Sequence, residues 1–544
     1  MTHQQHVWDG LKNIDEEDMA FRFHNQQQKN KMIDITSKLT LEDIIAHSLG
    51  AQIIFKDETA FRAKIKCNHD FFKSYVAAEN EVYGVTSGFG GSSHRLLDPL
   101  AASQLQRNLT RYHRCGVGGY LSLDVGRATI ATRLRSLCNA RSGVDFALLD
   151  ILKKLSDANI SPAIPAQGSV GASGDLTPLA YLAALVQGEH EAYDATGRLR
   201  PAAELLKEAN ISPLVLKDRE GLAMMNGTSF MCAIAALAWN RAQKIADEAC
   251  RITGTLADIL GARTSPFTEL LNMQKPHAGQ LRAAATIRQY ENKNVRHTSV
   301  TAAQSGKRGI QDPYSIRCAP QVIGVLYDAL EFARSAIETE MNGVSDNPVF
   351  IHEDEVVLNG GQFFGGHIAL VCDTLKSAVA ATLNLVDRQL ALILDGRYRD
   401  LLPENLVDEV ALGDQAHYHH GFKALQITVS ALAAEAAKCS MPMAVFSRPT
   451  ESANQDVVSM GTIAARDLEN ITGLAADGIS IALLAMRQAA KIRIGGPCLT
   501  ALANLNDIDC LVKPLIEDRP MDEAIHIIRK KLFGLRSAEA SLLL

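Results

Sequence analysis

Three stretches of the chain, Ile316 to Asn342, Gln362 to Leu394 and Leu468 to Ile492, repeat apolar residues at three- and four-residue spacing well beyond the length of an ordinary globular helix. Helices so long and so apolar must bury more than one stripe. They predict a mainly α fold with a long central helical bundle, whose outer faces meet other subunits. The most apolar run, His367 to Leu394, is interrupted by Asp373, Lys376, Asp387 and Arg388. It therefore reads as a buried helix, and no membrane partner is expected.

Around that bundle the chain divides into four regions without repeats or Pro/Gly/Ser-rich linkers. Residues 1–35, with Gln26 to Lys31 reading QQQKNK, are expected to form a flexible polar extension. Residues 36–220 form a mixed region that opens with Thr40 as a capping residue and carries short strand-like runs and many glycines. Residues 221–500 hold the bundle, and 501–544 form a helical tail.

Of the 544 residues 47% are hydrophobic and 21% charged, with a net charge of −6 and no basic tract. This composition fits a soluble globular protein and argues against a nucleic-acid partner. The ten cysteines are scattered and form no CxxC pair, as expected of reduced thiols in a cytoplasmic protein. The polar, acidic N-terminus does not resemble a secretory signal. His417, His419 and His420 lack the HExxH spacing, so they read as a solvated or site-rim cluster and no metal is expected.

Gly168 to Leu182 reads GSVGASGDLTPLAYL. Taken alone it has two readings. It can be a glycine-rich turn opening a helix, with Asp175 or Thr177 as cap and Pro178 in the first turn. Alternatively, Ala172-Ser173-Gly174 can cyclise, lose water and leave an electrophilic methylidene-imidazolone. No Lys-Ser/Thr pair follows the glycines, so a phosphate loop is excluded. Further segments carry polar groups at the edges of apolar runs: YGVTSGFGG from Tyr83, a glycine-rich lid-like loop; EGLAMMNGTS from Glu220; QDPYSIRCAPQ from Gln311, with Tyr314 and Arg317 one helical turn apart; and NQDVVSMG from Asn454. Each by itself could be a helix cap or a solvated turn.

Together, and with SDNP at 345–348 and GGQFFG at 360–365, these segments resemble the aromatic amino acid ammonia-lyases, the family of histidine, tyrosine and phenylalanine ammonia-lyases and related aminomutases. The likeness runs from about Leu39 to about residue 490. It implies a fumarase/aspartase-like helical bundle and a homotetramer in which three chains build each site. It also implies a 4-methylidene-imidazol-5-one formed autocatalytically from Ala172, Ser173 and Gly174, with no dissociable cofactor. Ammonia is a poor leaving group, and the ring supplies the electrophile that takes up the substrate amine. Tyr83 matches the base that removes the β-hydrogen, and it requires surroundings that favour phenolate. Arg317 matches the partner of the substrate carboxylate, assisted by Asn454. Asn226 matches the group that contacts ring or amine. Tyr314 and Gln311 are expected in the same pocket, Phe363 beside the ring, and Gln455 among the substrate contacts.

Selectivity falls on the adjacent pair Tyr112-His113, which departs from the family's usual pairs. Asp456, after Asn-Gln, resembles tyrosine and phenylalanine enzymes, whereas histidine enzymes carry glutamate there. Gln362 stands where relatives usually have asparagine. A polar ring pocket matches a para-hydroxyl, since buried polar groups need partners. The small-molecule partner is therefore expected to be an aromatic amino acid: tyrosine first, phenylalanine or a substituted analogue second, histidine third.

Overall fold

Five long helices form the centre of the computed structural model, which describes residues 31–97, 102–291 and 311–534. In chain order, the helices used below are α1 (Ala102–Tyr112), α2 (Leu123–Leu137), α3 (Leu176–Val186), α4 (Ser229–Leu260), α5 (Ala319–Asn342), α6 (Gly366–Leu394), α7 (Lys423–Cys439) and α8 (Gly461–Ile492). α8 packs against α4, α6 and α7, and α5 packs against α4 and α6. Residues Gly478 to Ala490 of α8 are buried on every side, as its apolar run predicts. Each leucine or isoleucine buried there contributes about 1.5–3 kcal/mol of transfer free energy.

The direction of these helices sets up the site. α4, α6 and α8 all begin at one end of the bundle, beside the Gly168–Asp175 loop. α5 runs the other way, so Asn342 lies at that end and Ala319 at the opposite one. α4 ends at the opposite pole on Gly261, whose φ of +61° gives the left-handed turn that stops a helix.

Strands are few and short. Met32–Asp34 pairs in parallel with Gln52–Ile54, Val117–Tyr120 lies antiparallel to Pro165–Gln167, and Glu191–Tyr193 runs between Ser161–Pro162 and Leu199–Pro201. Val349–Ile351 forms a hairpin with Val356–Leu358. The first pairing corrects the expected extent of the N-terminal extension. Ile33 and Ile35 are buried in the core, so residues 32–35 belong to the fold. Residues 1–30 of that extension and 535–544 of the expected tail lie outside the described residues. One hydrophobic core draws on side chains from Ile33 to Phe533. α6 and α8 are long and apolar enough to cross a membrane, but 72% of each apolar window is buried inside the protein.

Candidate active site

Ala172-Ser173-Gly174 lies where four helix starts converge. α3 begins at Leu176, directly after the triplet. The Asp175 N–H donates to Gly227 O at 2.7 Å, just before α4, and Met460 N–H, just before α8, donates to Val170 O at 2.9 Å. α6 joins them through Gly365, whose carbonyl lies against Gly461. Helix N-termini carry partial positive charge, so this end of the bundle favours negative charge developing at the triplet.

Asp175 does not cap its own helix, contrary to the simplest reading of the loop. Its carboxylate instead accepts from the N–H groups of Phe230 (3.0 Å) and Met231 (2.9 Å) in the first turn of α4, and from Thr462 Oγ1 (2.7 Å) in α8. Burial pushes this carboxyl up to about 7, against the pull of those three donors. The backbone of the triplet is tightly bent. Ser173 has φ +48° and Gly174 φ +77°, and a Cβ on Gly174 would meet Gly227 O at 2.1 Å. Only glycine fits at 174, and a left-handed serine costs about 1–2 kcal/mol.

The triplet opens onto a cavity of about 720 Å³. Ala172, Ser173, Tyr83, Tyr112, His113, Asn226, Phe363, Asn454 and Gln455 all line it, whereas Gly174 lies behind, paired with Gly227. Gln455 Nε2 donates to Ser173 Oγ at 3.3 Å, and Gly227 N–H donates to Ser173 O at 3.2 Å. Asn226 gives its amide hydrogens to Asp346 Oδ1 (3.1 Å) and Asn347 O (3.1 Å), which leaves Oδ1 as its acceptor on the cavity side. Tyr83 Oη accepts from Gly90 N–H at 2.8 Å. Burial raises the Tyr83 phenol above its ordinary value and the Gly90 bond offsets this only in part. The expected phenolate-favouring surroundings are therefore not supplied within one chain, since a single N–H is the donor on Tyr83 among the described residues.

His113 Nδ1 lies 3.0 Å from Leu109 O. A carbonyl can only accept, so Nδ1 carries the hydrogen and Nε2 of the neutral ring is an acceptor. Burial holds the imidazole below its ordinary value and thus neutral near pH 7. The Tyr112 ring lies 4.3 Å away, and burial pushes its phenol up to about 12, so it remains a donor.

Gln311, Tyr314 and Arg317 are not in this cavity. Gln311 and Arg317 line a second one together with Arg263 and Asp312, while Tyr314 is 70% exposed with the Arg317 guanidinium stacked over it at 4.2 Å. The length of α5 explains the separation. Its 24 residues span about 36 Å, with Arg317 before its start and Asp346 after its end. The expectation that these three residues and Asn454 share one pocket is therefore not met within a single chain.

Several groups escape a reading of motifs alone. Glu451 accepts from Gly91 N–H at 2.8 Å and so grips the loop that carries Tyr83; Glu451, Ser452 and Ala453 are three successive non-glycine residues with φ of +50°, +54° and +62°. Gln106 of α1 donates to Gly84 O and accepts from Leu222 N–H, both at 2.8 Å, joining that loop to the segment bearing Asn226. Arg219 makes a fully buried pair with Asp346. Asp346 lies within SDNP and Arg219 immediately precedes EGLAMMNGT, but their pairing spans 127 residues and cannot be read from either motif.

The family model described as aromatic amino acid lyase matches residues 39–505. A tyrosine ammonia-lyase of Cereibacter sphaeroides is 35% identical over 88% of this chain and 92% of its own length. A probable histidine ammonia-lyase of Thermoplasma volcanium is 34% identical over 92% and 98%. Among solved structures, tyrosine aminomutase from Streptomyces globisporus superposes with a TM-score of 0.84 at 32% identity, over 92% of this chain and 96% of the other.

Proposed function

Because the chain belongs to the aromatic amino acid lyase family, we propose that it eliminates ammonia from an aromatic α-amino acid, with L-tyrosine preferred and p-coumarate as product. The observation that carries the substrate assignment is the tautomer of His113: the ring lines the cavity onto which Ser173 opens and its Nε2 is an acceptor, while the Tyr112 ring packed 4.3 Å from it lines the same cavity and carries a donor hydroxyl. A para-hydroxyl can donate to one and accept from the other. A phenylalanine ring would leave the His113 acceptor unmatched, which penalises binding by about 1–3 kcal/mol.

The residues around Ala172-Ser173-Gly174 fit a methylidene-imidazolone. The bend at 173–174 and the absence of space for a side chain at 174 suit closure of Gly174 N onto the Ala172 carbonyl carbon. The Ser173 carbonyl, retained in such a ring, already accepts from Gly227 N–H. The bound ring would supply the electrophile that makes the substrate nitrogen a competent leaving group. This chain's own groups do the rest. Asn226 Oδ1 accepts from an N–H of the neutral substrate amine, Phe363 walls the cavity, and Tyr83 Oη takes the β-proton as the Cα–N bond breaks and the double bond forms.

Arg317 pairs the substrate carboxylate from a neighbouring copy, with Tyr314 and Gln311 beside it and Asn454 reaching toward it from the triplet's chain. α5 keeps Arg317 too far from Ser173 within one chain, so the site requires at least two copies, in line with a homotetramer. Purified protein supplied in parallel with tyrosine, phenylalanine, dihydroxyphenylalanine and histidine tests the assignment. Ammonia with p-coumarate as the preferred product supports it. Urocanate from histidine as the main product, or β-tyrosine in place of the acrylate, overturns the substrate or the lyase outcome respectively.

A further inference from the structure

The segment carrying Tyr112-His113 is gripped from one side by the end of α3. Glu189 places one carboxylate oxygen 2.7 Å from Arg111 Nη2 and the other 2.7 Å from Arg114 Nη2, so a single side chain brackets the pair. Gln187 Nε2 donates to Thr110 Oγ1 at 3.2 Å, and Tyr181 Oη accepts from Gly116 N–H at 3.1 Å. The attachment is stiff. Glu189 N–H returns to Ala184 O at 2.9 Å and Gly188, at φ +72°, makes the left-handed turn of a Schellman motif. α3 starts directly after the triplet, and its 11 residues span about 16 Å. The helix therefore sets a fixed spacing between Ser173 and the two side chains proposed to meet the substrate ring.

We propose that Glu189 is a positioning residue for substrate selection, holding Tyr112 and His113 at a set distance from the triplet through its paired contacts with Arg111 and Arg114. The inference rests on the reading that Tyr112 and His113 face the substrate ring. Burial pushes the Glu189 carboxyl up, but the Arg111 hydrogen bond and the two guanidinium charges outweigh this and hold it below the ordinary carboxylate range. Glu189 is thus ionised throughout the neutral range, and the bracket does not switch with pH there. The Arg111, Arg114 and Glu189 side chains are 43%, 22% and 26% exposed. Effects of modest size follow, because water screens such pairs.

The test is Glu189→Gln in the full-length enzyme, with kcat and KM measured for tyrosine and phenylalanine, intact mass and Tm. The expected result is a fall of about fivefold in the tyrosine-to-phenylalanine ratio of kcat/KM, carried mainly by KM, with ring formation unchanged. Adding Arg114→Gln to that variant should then change the ratio little further, because both act through one contact. An unchanged ratio overturns the inference, as does an equal loss on both substrates accompanied by a lower Tm, which is the mark of a purely structural role. Wild-type protein inactive on both substrates overturns the underlying reading, and the inference with it.

Discussion

Thr462 donates to the Asp175 carboxylate at 2.7 Å, tying the residue after the triplet to the first turn of a helix 287 positions further along the chain. The same carboxylate holds two N–H groups of α4. Asp175→Ala removes both oxygens and leaves the two buried N–H groups of α4 without their acceptor. A loss of about 1–3 kcal/mol in stability is expected. Intact mass should also reveal a larger fraction of uncyclised chain, because the bend at Ser173 is held from this point.

Arg219 and Asp346 form a fully buried ion pair with contacts of 2.9 and 3.1 Å, and Asp346 also orients Asn226. Asp346→Ala strands the guanidinium and should cost about 3–5 kcal/mol in urea unfolding. Burial pushes the Asp346 carboxyl up, but Arg219 outweighs it and holds the group below its ordinary 3.8. A depressed carboxyl stabilises the fold above its unfolded pKa and loses that contribution as pH falls through the folded one. Wild-type stability should therefore decline below about pH 4 more steeply than that of Asp346→Ala.

Tyr83 sits in surroundings that disfavour its phenolate, since burial raises it and one N–H only partly compensates. A base with a raised pKa is mostly protonated at neutral pH, so kcat/KM should climb as pH increases from 7 toward 10. Tyr83→Phe should lose about 10²- to 10⁴-fold in kcat and abolish that ascending limb, as read from a pH–rate profile.

The bundle was legible because apolar spacing is local: the runs ending at Asn342, Leu394 and Ile492 appear as α5, α6 and α8 with those C-terminal limits. The near half of the site was legible for a different reason, in that the motif segments containing Tyr83, Asn226 and Gln455 do meet around Ser173. What the chain hid were pairings across sequence. Asp175 looks like a cap for its own helix, yet its oxygens go to α4 and α8, a choice made only when those helix starts pack beside it. Glu451 carries no motif signal, because its contact with Gly91 depends on a left-handed run that no local propensity favours. Arg317 appears beside Tyr314 as its spacing suggests, but the length of α5 removes both from the triplet.

That separation makes the shared site testable. Ser173→Ala and Arg317→Ala should each be inactive as pure proteins. Unfolded together and refolded as a mixture, they should recover a fraction of wild-type activity, since mixed oligomers contain sites with both wild-type residues. Mixtures as inactive as their components would mean that Arg317 does not act across subunits.

The most direct test of the account is the mass of the proteolytic fragment containing Ala172, Ser173 and Gly174. In the wild-type protein that fragment should be lighter than its sequence by two waters, with the loss confined to the triplet, while the Ser173→Ala fragment should have its full sequence mass. A wild-type fragment at full sequence mass, from protein active on tyrosine, would contradict the claim that these three residues form the electrophile.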